Sequence, residues 1–145
     1  MLRTIGGVVV GYIAILALIF LTFSISFLLL GTDRAFAPGS YEVTLAWIVV
    51  SCILSFVAAI VGGKVCVSIA RGSGAVMGLA SVVLILGVAS AVLTLSASKN
   101  TPVERPGDVS VTEAMTNVRQ PVWVALLMPW IELGGVMVGG KRKLG

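Results

Sequence analysis

The chain has 145 residues, of which 58% are hydrophobic and 11% are charged, and its formal net charge is +4. An ordinary soluble domain is about half apolar and about a quarter charged, so this chain has too little polar surface to stay dissolved. It contains no histidine, the commonest general base and a frequent metal ligand. The composition favours a membrane protein and argues against an enzyme, a metal site or a bound cofactor.

Four apolar runs follow one another along the chain, at about residues 5–30, 43–63, 75–97 and 121–140. Each has at least about 18 residues and few charges, which is typical of a transmembrane helix. We therefore predict an all-α membrane protein with a single domain, residues 1–145. Its four transmembrane helices are expected to form one compact up-down bundle.

The segments between these helices carry turn and cap signals. Ser40 is predicted to be the N-cap of the second helix, and residues 71–74 are predicted to form a tight turn. Residues 98–120 are the longest polar segment, and the SVTE pattern at 110–113 within it is typical of a capping box. Apolar residues at 111, 115 and 118 then predict a short amphipathic helix on the outer membrane surface or under a partner. A solvated loop with one helical turn is the alternative.

The charges indicate how the chain is oriented. Basic residues are most frequent in the segments that lie with the two termini, whereas all but one of the acidic residues lie in the opposite loops. Because an excess of Lys and Arg marks the cytoplasmic side, we predict cytoplasmic termini in a bacterial inner membrane. The basic excess is thus interpreted as a topology signal and not as a nucleic-acid site. The predicted inner-surface anchors are Lys64, Arg71, Lys141, Arg142 and Lys143.

Two short patterns occur once in each predicted hairpin of helices. LTFSIS at 21–26 corresponds to LTLSAS at 93–98, and VGGK occurs both at 61–64 and at 138–141. Since both hairpins start on the same side, a duplication would give parallel repeats related by an axis along the membrane normal. Membrane sequences draw on few residue types, and chance similarity is the alternative.

Small residues at intervals of four mark the expected contacts between helices. In lipid, helices associate by close packing at small side chains, and GxxxG is one such pattern. The second helix adds a stripe of small residues that includes Ser51 and Ser55. The predicted packing is tightest toward the cytoplasmic side. The glycines predicted to form helix contacts are Gly7, Gly11, Gly62, Gly74, Gly78, Gly135 and Gly139.

Glu132 is the one acidic residue inside an apolar run. Helical periodicity places it on the face of Pro129 and Gly135, opposite Trp123 and Trp130, so we predict that it points into the bundle. A carboxyl group near the bilayer midplane must be neutralised, paired or hydrated. Pro129 adds polarity on the same face, because it leaves one backbone carbonyl without its helical donor.

Two partners for Glu132 come from the sequence. Aligning the two VGGK patterns pairs Ser55 with Glu132, and we predict that Ser55, alone or together with Ser51, forms a hydrogen bond with the carboxyl group. An ion pair with Lys64 is the alternative, although helical periodicity places Lys64 on a different face of its helix. The predicted polar site therefore consists of Glu132, Ser55, Ser51 and Pro129.

The sequence leads to one main hypothesis for the function and to an alternative. We expect a small integral membrane protein without catalytic machinery: a subunit, assembly factor or scaffold that contacts the lipid bilayer and binds other membrane proteins or itself. The alternative is a small homodimeric proton-coupled transporter that uses Glu132, since an ionisable residue within a membrane is a functional candidate. A neutral Glu132 that only links two helices is the structural alternative.

The length and helix number are similar to those of the small multidrug resistance transporters. Those transporters carry an essential glutamate in the first helix, whereas residues 5–30 contain no acidic residue here. The similarity is therefore one of size only.

Overall fold

The computed structural model describes residues 1–97, 104–105 and 107–141, and it confirms the all-α four-helix bundle. Four of its helices, α1, α3, α4 and α6, are long and apolar enough to cross a membrane. These helices fit a small integral membrane protein whose apolar side chains contact lipid. The six helices are α1 (Leu2–Leu30), α2 (Thr32–Ala35), α3 (Leu45–Ala70), α4 (Ser73–Ala97), α5 (Val111–Asn117) and α6 (Val122–Gly139).

Local hydrogen bonds place the start of α3 later than the sequence predicted. The side-chain oxygen of Thr44 accepts a hydrogen bond from the backbone N–H of Trp47 (3.2 Å), which makes Thr44 the N-cap. The prediction of Ser40 as the N-cap is wrong, because its side-chain oxygen accepts from the backbone N–H of Glu42 (3.1 Å) in the preceding turn. At its other end α3 continues beyond residue 63 to Ala70.

The long helices are arranged in the order α1, α3, α6, α4. α3 packs against α1 on one side and α6 on the other, α6 packs against α4, and the contacts of α4 with α1 and α3 are less extensive. α3 and α6 run in the same direction, because Ala59 lies against Gly135 and Gly63 lies against Gly140. Two antiparallel hairpins therefore lie side by side and meet mainly through α3 and α6.

The contact between the hairpins bears on the predicted repeat. Gly63 and Gly140 occupy equivalent positions in the two VGGK patterns. A methyl group on Gly63 would lie 3.0 Å from the backbone nitrogen of Gly140. Equivalent residues meet at an axis that relates two parallel repeats, so this contact supports a duplication, which stays a prediction.

One end of the bundle carries both termini and the turn between α3 and α4, and we call it the terminal end. Glycine contacts close this end. On the α1 side of α3, a methyl group on Gly7 would lie 2.8 Å from the β-carbon of Ala70. One on Gly11 would lie 3.0 Å from both the β-carbon of Cys66 and the carbonyl oxygen of Gly62. Backbones this close are possible only without side chains, so the interface requires glycine.

The α6 side of α3 is packed in the same way. A methyl group on Gly135 would lie 2.6 Å from the β-carbon of Ala59, and one on Gly139 would overlap the backbone of Ile60. We call the two interfaces of α3 together the glycine seam. Around it lies a buried core of small and medium-sized side chains. The core consists of Ile15, Ala59, Cys66, Ala75, Val76, Leu79, Ala80, Val83 and Val136.

The predicted glycine contacts of α4 are not part of the seam. A β-carbon at Gly74 would meet nothing within 4 Å, so the contact predicted there is wrong. One at Gly78 would reach only the side chain of Val8, at 3.3 Å. Gly74 lies in the first turn of α4, at the edge of the bundle, where GxxxG spacing alone brings no helix close.

We call the opposite end of the bundle the cap end. It is covered by a layer, the cap, which is formed by α2, α5 and the described segments that flank them. Aromatic rings hold it on the bundle. The ring centroid of Trp47 lies 5.8 Å from that of Phe23 and 6.2 Å from that of Phe27, both edge to face. Phe36 of the cap stacks edge to face on Phe27 and Tyr41. Each such pair contributes about 0.5–1.5 kcal/mol beyond its buried area.

Hydrogen bonds join distant segments within the cap. The backbone N–H of Val43 donates to the carbonyl of Arg119 (3.1 Å), and the N–H of Arg119 donates to the carbonyl of Tyr41 (3.0 Å). The buried guanidinium of Arg105 donates to the carboxylate of Asp33 (3.1 Å). The cap is thus one ordered layer with its own polar and apolar contacts.

The short helix predicted in the polar segment is α5. The side-chain oxygen of Ser110 accepts from the backbone N–H of Glu113 (3.2 Å), and the Glu113 carboxylate accepts from the hydroxyl of Tyr41 (3.0 Å). Burial and this hydrogen bond raise the pKa of Tyr41. Ala114 is buried in the aromatic cluster, whereas Met115 is exposed. The apolar side of α5 therefore packs on the chain itself.

The glycine seam is tested by comparing two glycine-to-alanine substitutions, one within the seam and one outside it. Gly139→Ala is expected to lower the free energy of unfolding by about 1–3 kcal/mol, because the new β-carbon overlaps the backbone of α3. Gly74→Ala is the matched control and should leave stability unchanged or slightly higher, because alanine is the better helix former. Both are measured by denaturant titration in detergent micelles. Equal stability of the two variants would contradict the seam.

Candidate functional site

Glu132 lies on the packed side of α6, on the face that helical periodicity predicted. Pro129 and Val136 on that side are buried. Trp123 and Trp130 on the opposite side are 55% and 60% exposed. Glu132 itself is half-buried, roughly 10 Å from the terminal end of α6.

A cavity of about 290 Å³, here the chamber, lies between α1, α3, α6 and the cap. Its cap-side wall is aromatic and aliphatic, with Phe23, Phe27 and Trp47 among the lining residues. Its other boundary is polar, because Ser55 of α3 and Glu132 of α6 line it there. The chamber ends where the glycine seam begins, since Gly135, one turn beyond Glu132, already lies against α3.

A second cavity of about 210 Å³, here the side cavity, lies between α1, α4 and α6. Its lining includes hydroxyl groups from α1 and α4, namely those of Tyr12, Ser90 and Thr94. Glu132 lines this cavity as well as the chamber. The carboxyl group is therefore placed at the boundary between two cavities. The residues that line both are Ile19, Gln120, Met128 and Glu132.

The structure places the predicted partners of Glu132 on the chamber but does not join them to it. Ser51 and Ser55 are 4% and 3% exposed and line the chamber together with Glu132. In the described part of the chain, no hydrogen bond connects either hydroxyl to the carboxyl group, so the predicted bond is absent. The reason is geometric: α3 and α6 touch at Ala59 and Gly135, and the chamber separates them one turn closer to the cap.

The ionic alternative for Glu132 is also absent. Lys64 is exposed, and the one ion pair among the described residues joins Arg105 to Asp33 in the cap. Arg71 and Lys141 are exposed at the terminal end. The other two predicted anchors, Arg142 and Lys143, lie outside the described residues. The orientation of the chain in the membrane stays a prediction.

Pro129 contacts α4 instead of forming a polar group at the chamber. Its ring lies against Gly87, where a methyl group would come within 3.1 Å of the proline β-carbon. Pro129 also lines the side cavity. A proline within a helix removes one backbone hydrogen bond and locally bends the helix. At this level the ring of Pro129 and the missing side chain of Gly87 bring α6 close to α4.

Several residues of the site were missed by the sequence analysis. Tyr12 brings a hydroxyl group from α1, and Gln120 brings an amide from the segment before α6. Tyr12 is a polar ring in an apolar helix next to a seam glycine, a signal that could have indicated it. Nothing in the sequence assigns Trp47 to a cavity wall, because its ring contacts are with Phe23 and Phe27 of another helix, α1.

The lining of the two cavities is mainly apolar, with a few polar groups. The described lining of the two cavities contains one carboxyl group, several hydroxyl groups and one amide, and otherwise apolar side chains. Apolar walls with a few placed polar groups are typical of small-molecule sites.

No protein-family model, curated protein or solved structure matches this chain significantly. Its function is therefore inferred from the bundle, the chamber and Glu132.

Replacing Glu132 by leucine distinguishes a ligand-binding carboxyl group from one that only links helices. We expect Glu132→Leu to leave the free energy of unfolding unchanged or higher, because a half-buried carboxyl without a protein partner is costly. A structural link between helices would instead lose about 0.6–2 kcal/mol. Met128→Leu, a change of similar volume on the same lining, is the control. Denaturant titration of all three proteins in micelles gives the comparison.

Proposed function

We propose that the protein is a non-enzymatic membrane carrier that binds a small molecule in the chamber and exchanges protons at Glu132. The observation that supports this proposal is a carboxyl group that forms no hydrogen bond or ion pair with the described residues and lines two cavities among four helices long and apolar enough to span a membrane. Ionisable groups at such depth are costly to keep and usually mark a substrate or proton path. A carrier gives this carboxyl group a role that a purely structural protein lacks.

The chamber is suited to alternate exposure. The glycine seam closes the bundle on the terminal side of Glu132, and the cap covers the other end. Movement of a ligand across the membrane would require one of these closures to open while the other stays shut. Seam contacts between small residues and backbone leave few interlocking side chains to rearrange. We therefore assign the moving contacts to the seam and the substrate-binding contacts to the chamber.

The residues that line the chamber all come from one chain, from α1, α3, α6 and the cap. The proposal accordingly does not depend on the homodimer that the sequence analysis attached to a transporter. A dimer stays a prediction, since long apolar faces of α1 and α4 are exposed in the single chain.

The subunit or scaffold hypothesis is the second candidate. The exposed side of α5, which carries Thr112 and Thr116, favours it. This side lies at the surface of the cap, where another protein has access to it. The buried side of α5 serves the cap itself, so the carrier explains more of the structure than a scaffold does.

The carrier is tested in vesicles that contain the purified protein and an imposed pH gradient. A panel of small fluorescent dyes of positive, negative and zero charge is offered outside, and uptake is followed by dequenching. We expect gradient-driven uptake of at least one dye, lowered by about tenfold or more in Glu132→Gln, which keeps shape but cannot exchange protons. Glu104→Gln, the same change in the exposed part of the cap, is the control. Uptake that Glu132→Gln leaves unaltered, or uptake of no dye, would contradict the proposal.

A further inference from the structure

The lining of the chamber changes in character along its length. Ser55 and Glu132 line one end, and the aromatic cluster with Trp47 lines the other. Since Ser55 and Trp47 are two turns apart on α3, the two ends are separated by roughly 12 Å. Ser51 of α3 and Met128 of α6 line the part between, and the aliphatic side chains of Ile48 and Val124 lie with Trp47 at the apolar end. A molecule that fits this gradient is polar at one end and apolar along the rest.

The volume of the chamber limits the size of that molecule. About 290 Å³ has room for roughly ten water-sized groups, because a water molecule occupies about 30 Å³ of the liquid. A single slender chain or a small ring system fits this space.

The charge of the lining determines which kind of polar head group the chamber can bind. Glu132 is the one carboxyl group among the described residues that line either cavity, and no lysine or arginine is found among them. Tyr12, which faces Glu132 from α1 across the side cavity, is the other titratable group and is an acid too. α3 contributes serines and α4 contributes a serine and a threonine. An anionic head would be repelled here, whereas a cationic head with N–H donors pairs with the carboxylate.

We propose that the chamber binds a small cationic amphiphile, with an ammonium-type head at Glu132 and Ser55 and an apolar body that extends to the aromatic cluster at Trp47. The inference rests on the proposed function for the site and adds the chemical class of the ligand. The hydroxyl groups of Ser51 and Ser55 accept the N–H donors that the carboxylate leaves free. The aromatic rings contact the far end of the apolar body.

The three tryptophans of the chain make the site observable. Trp47 lines the chamber, whereas Trp123 and Trp130 face away from it and are exposed. A protein with Trp123→Phe and Trp130→Phe therefore reports on the chamber alone. A protein with Trp47→Phe reports on the surrounding lipid alone and measures how far a probe simply partitions into the bilayer.

The experiment uses these two proteins in nanodiscs of zwitterionic lipid. The probes are decylammonium, decanol and decanoate, each with a bromine on the far carbon to quench fluorescence. We expect saturable quenching of Trp47 by the ammonium, with an apparent affinity about tenfold or more above that of the alcohol, because a charge-assisted hydrogen bond replaces a neutral one. Decanoate should quench Trp47 no more than it quenches the lipid-facing tryptophans.

Variants of Glu132 decide whether the carboxylate selects the cation. Glu132→Gln should remove the preference for the ammonium over the alcohol, and Glu132→Asp should retain it. Glu104→Gln, in the cap, should change nothing. The Asp variant keeps the test valid if the Gln variant does not fold. Equal affinity for the ammonium and the alcohol, no saturable quenching of Trp47, or a preference that survives Glu132→Gln would each overturn the proposal.

The proposal for the ligand class and the proposal for transport can be contradicted independently of each other. An ammonium preference that depends on Glu132, without gradient-driven uptake of any dye, would support the ligand class and overturn the carrier. Gradient-driven uptake that depends on Glu132, without an ammonium preference, would support the carrier and overturn the ligand class.

Discussion

The close approach of α3 to both α1 and α6 is the constraint on which the rest of the structure depends. At the terminal end the three backbones touch through Gly11, Gly62, Gly135 and Gly139. Toward the cap end the contacts are made by aromatic rings such as Trp47, which hold the helices farther apart. The chamber is the space that this change of residue size leaves between the seam and the cap.

Glu132 lies where the close packing ends. One turn nearer the terminal end, a side chain would not fit against α3, and toward the cap the lining is apolar apart from Ser51 and Gln120. The position therefore offers both the space and the polar neighbours that a carboxyl group in a membrane requires. The cap forms the wall of the chamber at the cap end, so the contacts within the cap shape the chamber as well as covering the end of the bundle.

The sequence predicted the parts of this arrangement that depend on periodicity. The four helices follow from apolar runs, and the packed side of α6 follows from the separation of Trp123 and Trp130 from Gly135. The placement of Ser55 near Glu132 came from a repeat pattern, yet the bond between them is absent because the width of the gap depends on which helices are neighbours. Tyr12 and the aromatic wall could not be assigned for the same reason, since helix order and the fold of the cap are tertiary properties.

The central claim is that α3 changes from chamber wall to closed seam within one helical turn, and cysteine accessibility tests it most directly. In a protein whose native cysteines are replaced, Ser55→Cys and Ala59→Cys place a thiol on the two sides of that boundary, four residues apart on nearly the same face of α3. A small thiol-reactive reagent should modify the cysteine at 55, which lines the chamber, and leave the one at 59, which is fully buried against α6, unmodified until the protein unfolds. Equal rates at the two positions, fast or slow, would contradict the account.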